Sequence, residues 1–63
     1  MTGRYHLVLS VDGRPTMHGW WGSAPVARRK LASWIGAYSR DGARLRLADE
    51  ERGETLATWP DTS

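Results

Sequence analysis

The sequence contains no cysteine and no phenylalanine, and its single lysine stands against eight arginines. Without cysteine, neither a disulfide nor a thiolate zinc site can stabilise the fold, and without phenylalanine the core must come from Trp, Leu, Val, Ile, Met and Tyr. No apolar run approaches the roughly 18 residues of a membrane-spanning helix, and segment 1–9 lacks the pattern of a signal peptide. These absences predict a cytoplasmic protein with no membrane contact.

The length limits the function as well as the fold. With 63 residues, the chain is predicted to be one small domain, 1–63, which buries only about 60% of the surface that its unfolded chain exposes. So short a chain does not easily enclose a pocket of about 300 Å³, which disfavours an enzyme and a small-molecule substrate. A second copy would add buried area, so a homodimer is one candidate state.

Charge is unevenly distributed along the chain, although the net charge is only +2. Residues 1–48 carry eight basic and two acidic side chains, whereas residues 49–63 carry one basic and five acidic side chains. A basic body favours an acidic partner. Alternatively, the acidic segment folds back onto the basic residues and neutralises them.

The first part of the chain has the pattern of a hairpin. Apolar residues alternate with polar ones over 5–11, which predicts a strand. Asp12-Gly13 is a strong turn signal, and 16–21 forms the second strand. It ends in Trp20-Trp21, and because strand neighbours point to opposite faces, one indole should enter the core and the other should face outward.

A helix is predicted from Ala24 to about Ser39. Ser23 can cap its first turn, Pro25 is tolerated there, and Gly42 supplies a left-handed stop after it. At 100° per residue its apolar side chains fall on one stripe, which should pack on the sheet. The stripe consists of Ala27, Leu31, Trp34, Ile35 and Tyr38.

Two further strands follow, at 43–47 and 54–59, and residues 61–63 are expected to be a frayed tail. The element order ββαββ predicts an α+β fold with a four-stranded antiparallel sheet and one helix packed on one face. The strand order stays open. So does the buried face of the last strand, because Leu56 points to one face and Ala57 to the other.

In this order of elements, the chain resembles a group of short uncharacterised bacterial domains. The shared pieces are the strand 5–11, the turn Asp12-Gly13, the pair Trp20-Trp21, the Ala/Arg-rich helix 24–40 and the charged hairpin 49–54. The arginine-heavy composition is similar to that of actinobacterial proteins. The resemblance implies a ββαββ fold and assigns no activity, cofactor or residue role.

The sheet face away from the helix, here named the open face, is the predicted binding surface. By alternation it should carry one set of side chains: His6, Val8, Ser10, Thr16, His18, Trp20, Arg44 and Arg46. Because Trp and Arg are common anchors of interfaces, the first interpretation is a non-catalytic module that binds a protein partner or a second copy. Its predicted contact residues are Trp20, His18, His6, Arg44 and Arg46, with Val8 and Leu56 adding apolar area.

The alternative interpretation is nucleic-acid binding. Trp20 would stack on a base while Arg44 and Arg46 contact phosphates, with Arg4 at the edge of the surface. Arg14 would also lie at the edge. A separate version places the helix in a groove of the nucleic acid and uses Arg28, Arg29, Ser33 and Arg40, although Gly36 lowers the rigidity of that helix. The sequence pI of about 9.7 permits this interpretation, whereas the small net charge and the acidic segment weaken it.

An enzyme is the third and least favoured interpretation. His6 and His18 can approach each other across the hairpin, but no serine elbow and no phosphate-binding glycine loop accompanies them. As metal ligands the two histidines would lack a third and a fourth donor. We therefore expect no catalytic residue, no metal and no cofactor. The two imidazoles are expected to pair across the strands and stack with Trp20.

Overall fold

The computed structural model describes residues 3–60, and the predicted tail at 61–63 lies outside this range. Its elements are β1 (Tyr5–Val11), β2 (Arg14–Trp21), α1 (Ala24–Tyr38), β3 (Ala43–Asp49) and β4 (Glu54–Trp59). All neighbouring strands pair antiparallel, in one four-stranded sheet. The predicted α+β class and ββαββ order are confirmed. No helix within the described range combines the length and the apolarity that crossing a bilayer requires.

The strand order is β2-β1-β3-β4, so the two hairpins join through β1 and β3. Leu7 lies opposite Leu47, and Leu9 lies opposite Leu45. These central strands alternate leucine with other residues most regularly, so pairing them concentrates the apolar area beneath the helix. Pro15 lies in the edge strand β2, and Pro60 directly follows the edge strand β4. Proline has no backbone N–H to donate to a neighbouring strand, so it is tolerated at the edges of a sheet.

The core lies between the helix and the leucines of β1 and β3. Ala27 is fully buried, and its small side chain lets α1 approach the sheet closely. Around this centre pack partly buried side chains that include Met17, Trp21, Leu31, Trp34 and Ile35. Tyr38, expected in the same stripe, is 40% exposed at the end of the helix and contacts Trp34 edge to face. Its placement in the core was wrong, because the helix ends at Tyr38.

A β-bulge determines which face of β4 is buried. The register shifts between Leu47 and Ala48, so Leu56 becomes an extra residue between the paired Thr55 and Ala57. As a result Leu56, Ala57 and Trp59 all pack against the core. Leu56 therefore adds no apolar area to the open face, contrary to the prediction.

A second register shift, between Leu9 and Ser10, affects β2. Met17 pairs with Leu9 and Pro15 pairs with Ser10, which leaves Thr16 as the extra residue. Thr16 lines a groove together with Leu9, Met17 and Tyr38, on the helix side of the sheet. The prediction that Thr16 shares a face with His18 and Trp20 was therefore wrong.

The turns that bound the elements join the two hairpins. Gly42 has φ +83°, as its predicted left-handed role requires, although α1 has already ended with Ser39 as its C-cap. The Gly42 carbonyl accepts a 2.9 Å hydrogen bond from the N–H of Asp12 in the first hairpin turn. Ser23 is the N-cap residue, but its side chain makes no capping hydrogen bond.

Candidate functional site

The adjacent indoles of Trp20 and Trp21 lie on opposite sides of β2. Trp21 packs against the core and contacts Trp34 edge to face, with ring centroids 6.0 Å apart. A Cβ on Gly19 would collide with the Trp21 ring, so the glycine leaves room for this indole. Trp20 is 42% exposed on the open face. The assignment of one indole to each face is thus confirmed by these contacts.

Three aromatic rings form a cluster at the β2 edge of the open face, those of His6, His18 and Trp20. His6 and Trp20 are direct cross-strand partners, and their rings stack with centroids 4.2 Å apart and planes 5° from parallel. The His18 ring lies 5.1 Å from the His6 ring and 5.8 Å from the Trp20 ring, again nearly parallel. The expected stacking with Trp20 is present, and His18 is a diagonal neighbour of His6 because its direct partner is Val8.

A chain of hydrogen bonds holds this stack in place. The His6 Nδ1 atom lies 2.8 Å from the Glu50 Oε1 atom, and the His6 Nε2 atom lies 2.9 Å from the His18 Nδ1 atom. An ionised Glu50 carboxylate only accepts, so His6 donates from Nδ1. Between the two imidazoles, one ring nitrogen donates and the other accepts. The chain therefore fixes the His6 ring on which Trp20 stacks.

Arg44 and Arg46 lie on the central strand β3, both exposed on the open face. In the register with β1 they are opposite Ser10 and Val8. The Arg46 Nε–H donates a 2.9 Å hydrogen bond to Thr55 Oγ1. Across residues 3–60, no carboxylate lies within 4 Å of either guanidinium. Both side chains can therefore contact an acidic group of a partner.

The two arginines border a shallow groove of about 350 Å³. Val8 and Ser10 of β1 line it, and its ends lie at Gly13 in the hairpin turn and at Pro60 after β4. The groove is open to solvent and lies beside the ring stack on the same face. The open face thus combines an aromatic edge with a basic centre.

The sequence analysis missed one charged pair, in which the carboxylate is buried and the guanidinium is partly exposed. Arg4 donates two hydrogen bonds to Asp49, from Nε to Oδ1 at 2.9 Å and from Nη2 to Oδ2 at 2.8 Å. Asp49 is only 3% exposed, and its Oδ1 also accepts from the backbone N–H groups of Glu51 and Arg52. The hydrogen bonds from Arg4 lower the pKa of Asp49, and those same bonds raise the pKa of Arg4. This arrangement fixes the start of β1 against the end of β3.

The Arg4–Asp49 pair shows where the acidic residues at the end of β3 lie relative to the basic residues of the chain. The acidic segment folds back, but onto Arg4 and His6. Arg4 is therefore paired with Asp49 and Glu51 within the molecule, and its place at the edge of a nucleic-acid surface stays a prediction. Arg44 and Arg46, in contrast, retain their exposed positions.

The remaining basic residues of the nucleic-acid interpretation lie in other parts of the fold. Arg28 and Arg29 are exposed on α1, in the other layer of the fold. Arg40 lines the groove beside Tyr38 on the helix side, and Arg14 begins β2 next to the hairpin turn. Among the predicted residues, the structure brings together Trp20, His18, His6, Arg44 and Arg46 on one face, with His6 also bound to Glu50.

Within the described range, no group of three or more His, Cys, Asp or Glu side chains is placed to hold a metal ion. Both nitrogens of the His6 ring are engaged, with Glu50 and with His18.

No protein-family model, no curated protein and no solved structure matches this chain.

Proposed function

We propose that this protein is a small non-catalytic binding module that contacts a protein partner or a second copy of itself through the open face. Trp20 is its anchor, and His18, His6, Arg44 and Arg46 surround the anchor. The observation that carries the proposal is the Trp20 indole, which is 42% exposed while its ring is stacked on His6. The helix covers the opposite face, so this large aromatic side chain is available for contact.

The stacked geometry favours binding for a physical reason. A side chain that becomes fixed on binding loses rotamer freedom, which costs roughly 0.5–1.5 kcal/mol. The Trp20 ring is already oriented by His6, which the Glu50 carboxylate orients in turn. Tryptophan and arginine are also the residue types that most often dominate binding energy at interfaces. A preorganised Trp20 beside two exposed arginines fits this pattern.

Replacing Trp20 with alanine should abolish capture of the partner by the immobilised protein, because the anchor of the open face is lost. Tyr38→Ala is the matched control, since Tyr38 is the other large exposed apolar side chain and lies on the helix side. Extracts of the cells that express the protein are passed over wild type and both variants. Proteins retained only by wild type and Tyr38→Ala are identified and titrated in purified form. Loss of binding in Tyr38→Ala alone would place the contact surface on the helix side.

Nucleic-acid binding is a second candidate function, and the two arginines of β3 favour it. Arg44 and Arg46 are two positions apart on one strand, so their Cα atoms are about 6.7 Å apart along one face. Such a row can follow the phosphates of an extended single strand, while Trp20 offers an aromatic surface for a base. The Glu50 carboxylate on the same face opposes this function, and the proposal therefore ranks second.

Fluorescence anisotropy with a labelled single-stranded oligonucleotide tests this second function. If it is correct, Arg44→Ala and Arg46→Ala each weaken binding and each reduce the dependence of log K on log salt by about 0.7. Arg28→Ala and Arg29→Ala are the matched controls on the helix layer and should leave the slope unchanged. Equal effects of all four substitutions would indicate non-specific attraction of a basic protein for a polyanion.

A further inference from the structure

The open face has a basic end and an acidic end, separated along the strand direction. In the register, Arg44 lies in the row of Ser10, Arg46 lies in the row of Val8, and Ala48 lies in the row of His6. Glu50 follows at the end of β3, and its carboxylate reaches His6 on the open face. Arg44 and Glu50 are therefore about 20 Å apart along the strand. Positive charge occupies one end of the face and negative charge the other.

From this distribution we infer that the partner of the open face is a second copy of this chain, packed face to face with its strands reversed. The inference rests on the proposed function and names its partner. A twofold axis in the plane of the interface, perpendicular to the strands and passing near position 47 of β3, exchanges the two ends of the face. It brings Arg44 of each copy opposite Glu50 of the other, so both charged contacts are attractive.

The same operation gives sterically complementary rows. Arg46 comes opposite Ala48 of the second copy, and the small alanine leaves room for the arginine side chain. Trp20 comes opposite His18 of the second copy, because these residues lie in the Ala48 and Arg46 rows of the sheet. Aromatic side chains thus meet at the β2 edge, and charges meet at both ends.

The other face-to-face twofold, with its axis parallel to the strands, is disfavoured by charge. That operation keeps each row opposite itself, so Arg44 and Arg46 of both copies would gather at one end. Glu50 of both copies would gather at the other end. Like charges brought together in an interface repel each other and oppose association. Charge therefore selects the reversed orientation.

The size of the face predicts a weak dimer. Four strands about 4.8 Å apart and rows spanning about 20 Å give a contact of roughly 300 Å² in projection. Stable interfaces usually bury about 800 Å² on each partner. We therefore expect dissociation constants in the micromolar range or weaker, so association must be measured up to about 1 mM.

A charge exchange measured by sedimentation equilibrium tests the inference. Wild type should shift from monomer to dimer as its concentration rises. Arg44→Glu alone and Glu50→Arg alone should each weaken self-association at least about tenfold, because each homodimer then has two like-charge contacts. An equimolar mixture of these two variants should recover part of the dimer, since both charged contacts of the mixed dimer are again attractive while only one copy lacks the Glu50–His6 hydrogen bond. The double variant should recover part of the association as a homodimer.

The outcomes separate this inference from the proposed function. A wild type that stays monomeric up to 1 mM would overturn the second copy as partner, while Trp20→Ala and Tyr38→Ala capture would still decide whether the open face binds another protein. Dimers insensitive to Trp20→Ala and to both charge variants would show association through another surface and would overturn this inference, while the capture experiment would again decide the proposed function. Weakened single variants that do not recover on mixing would overturn the reversed orientation. Circular dichroism of each variant establishes that the fold is retained.

Discussion

Replacing Trp21 with alanine is expected to destabilise the fold by about 3–5 kcal/mol, the usual cost of removing a tryptophan from a core. The ring packs against the leucine core, meets Trp34 edge to face and lies across Gly19. A domain of this size has about 3–9 kcal/mol of total stability. Removing Trp21 therefore takes away a large share of it, and much of the variant is expected to be unfolded at 37 °C.

The neighbouring Trp20 provides the control for this prediction. Its replacement with alanine removes the stack on His6 but opens no cavity in the core, so the expected loss is about 0.5–1.5 kcal/mol. Urea unfolding followed by circular dichroism measures both free energies without relying on the altered tryptophan fluorescence. Equal losses in the two variants would mean that the two indoles do not occupy different environments. The assignment of the open face would then be wrong.

Regular alternation is what allowed the sequence to predict the faces of β1 and β3. Leu7 and Leu9 lie on one face of β1, and Leu45 and Leu47 lie on one face of β3. The buried face of each strand could therefore be predicted without knowing which strands are its neighbours. The same rule correctly separated Trp20 from Trp21. Strand order could not be obtained this way, because pairing β1 with β3 depends on the total area buried beneath the helix.

Single-residue bulges explain where alternation failed. One extra residue changes the phase of everything beyond it, and no residue type in β2 or β4 marks the position. Thr16 therefore moved to the helix side, and Leu56 moved to the core. Tyr38 failed for a different reason, since helical periodicity gives a direction around the axis but does not show that the last turn packs closely on the sheet; a groove lies there, between Tyr38 and side chains such as Leu9 and Met17.

The charged partners were the hardest part to predict. Asp49 begins an acidic run that is typical of an exposed loop, yet it continues the buried phase of Leu45 and Leu47. This alternation was the one signal in the sequence that indicated burial of Asp49. Its partner Arg4 is 45 positions away and precedes the first strand, so only the β1–β3 pairing brings the two together. The Glu50–His6–His18 chain depends on the same pairing.

Replacing Asp49 with asparagine should destabilise the protein at pH 7 and should remove part of its sensitivity to acid. Arg4 holds the pKa of Asp49 below its usual range in the folded state. The ionised carboxylate therefore contributes stability that is fully present above the ordinary aspartate pKa of about 3.9. This contribution is lost as the pH falls through the lower pKa of the folded state. Asparagine cannot ionise, so Asp49→Asn lacks the contribution at every pH.

The decisive measurement is therefore the difference in unfolding free energy between wild type and Asp49→Asn, followed from pH 7 down to about pH 2. The difference should stay constant above about pH 5 and shrink below pH 4, because wild-type Asp49 then becomes neutral as well. Glu51→Gln is the matched control, since Glu51 lies 3.7 Å from Arg4 but its side chain is 71% exposed, and its effect should be small at every pH. A difference that stays constant down to pH 2 would show that Asp49 acts through its shape and hydrogen bonds, and that its charge does not join β1 to β3.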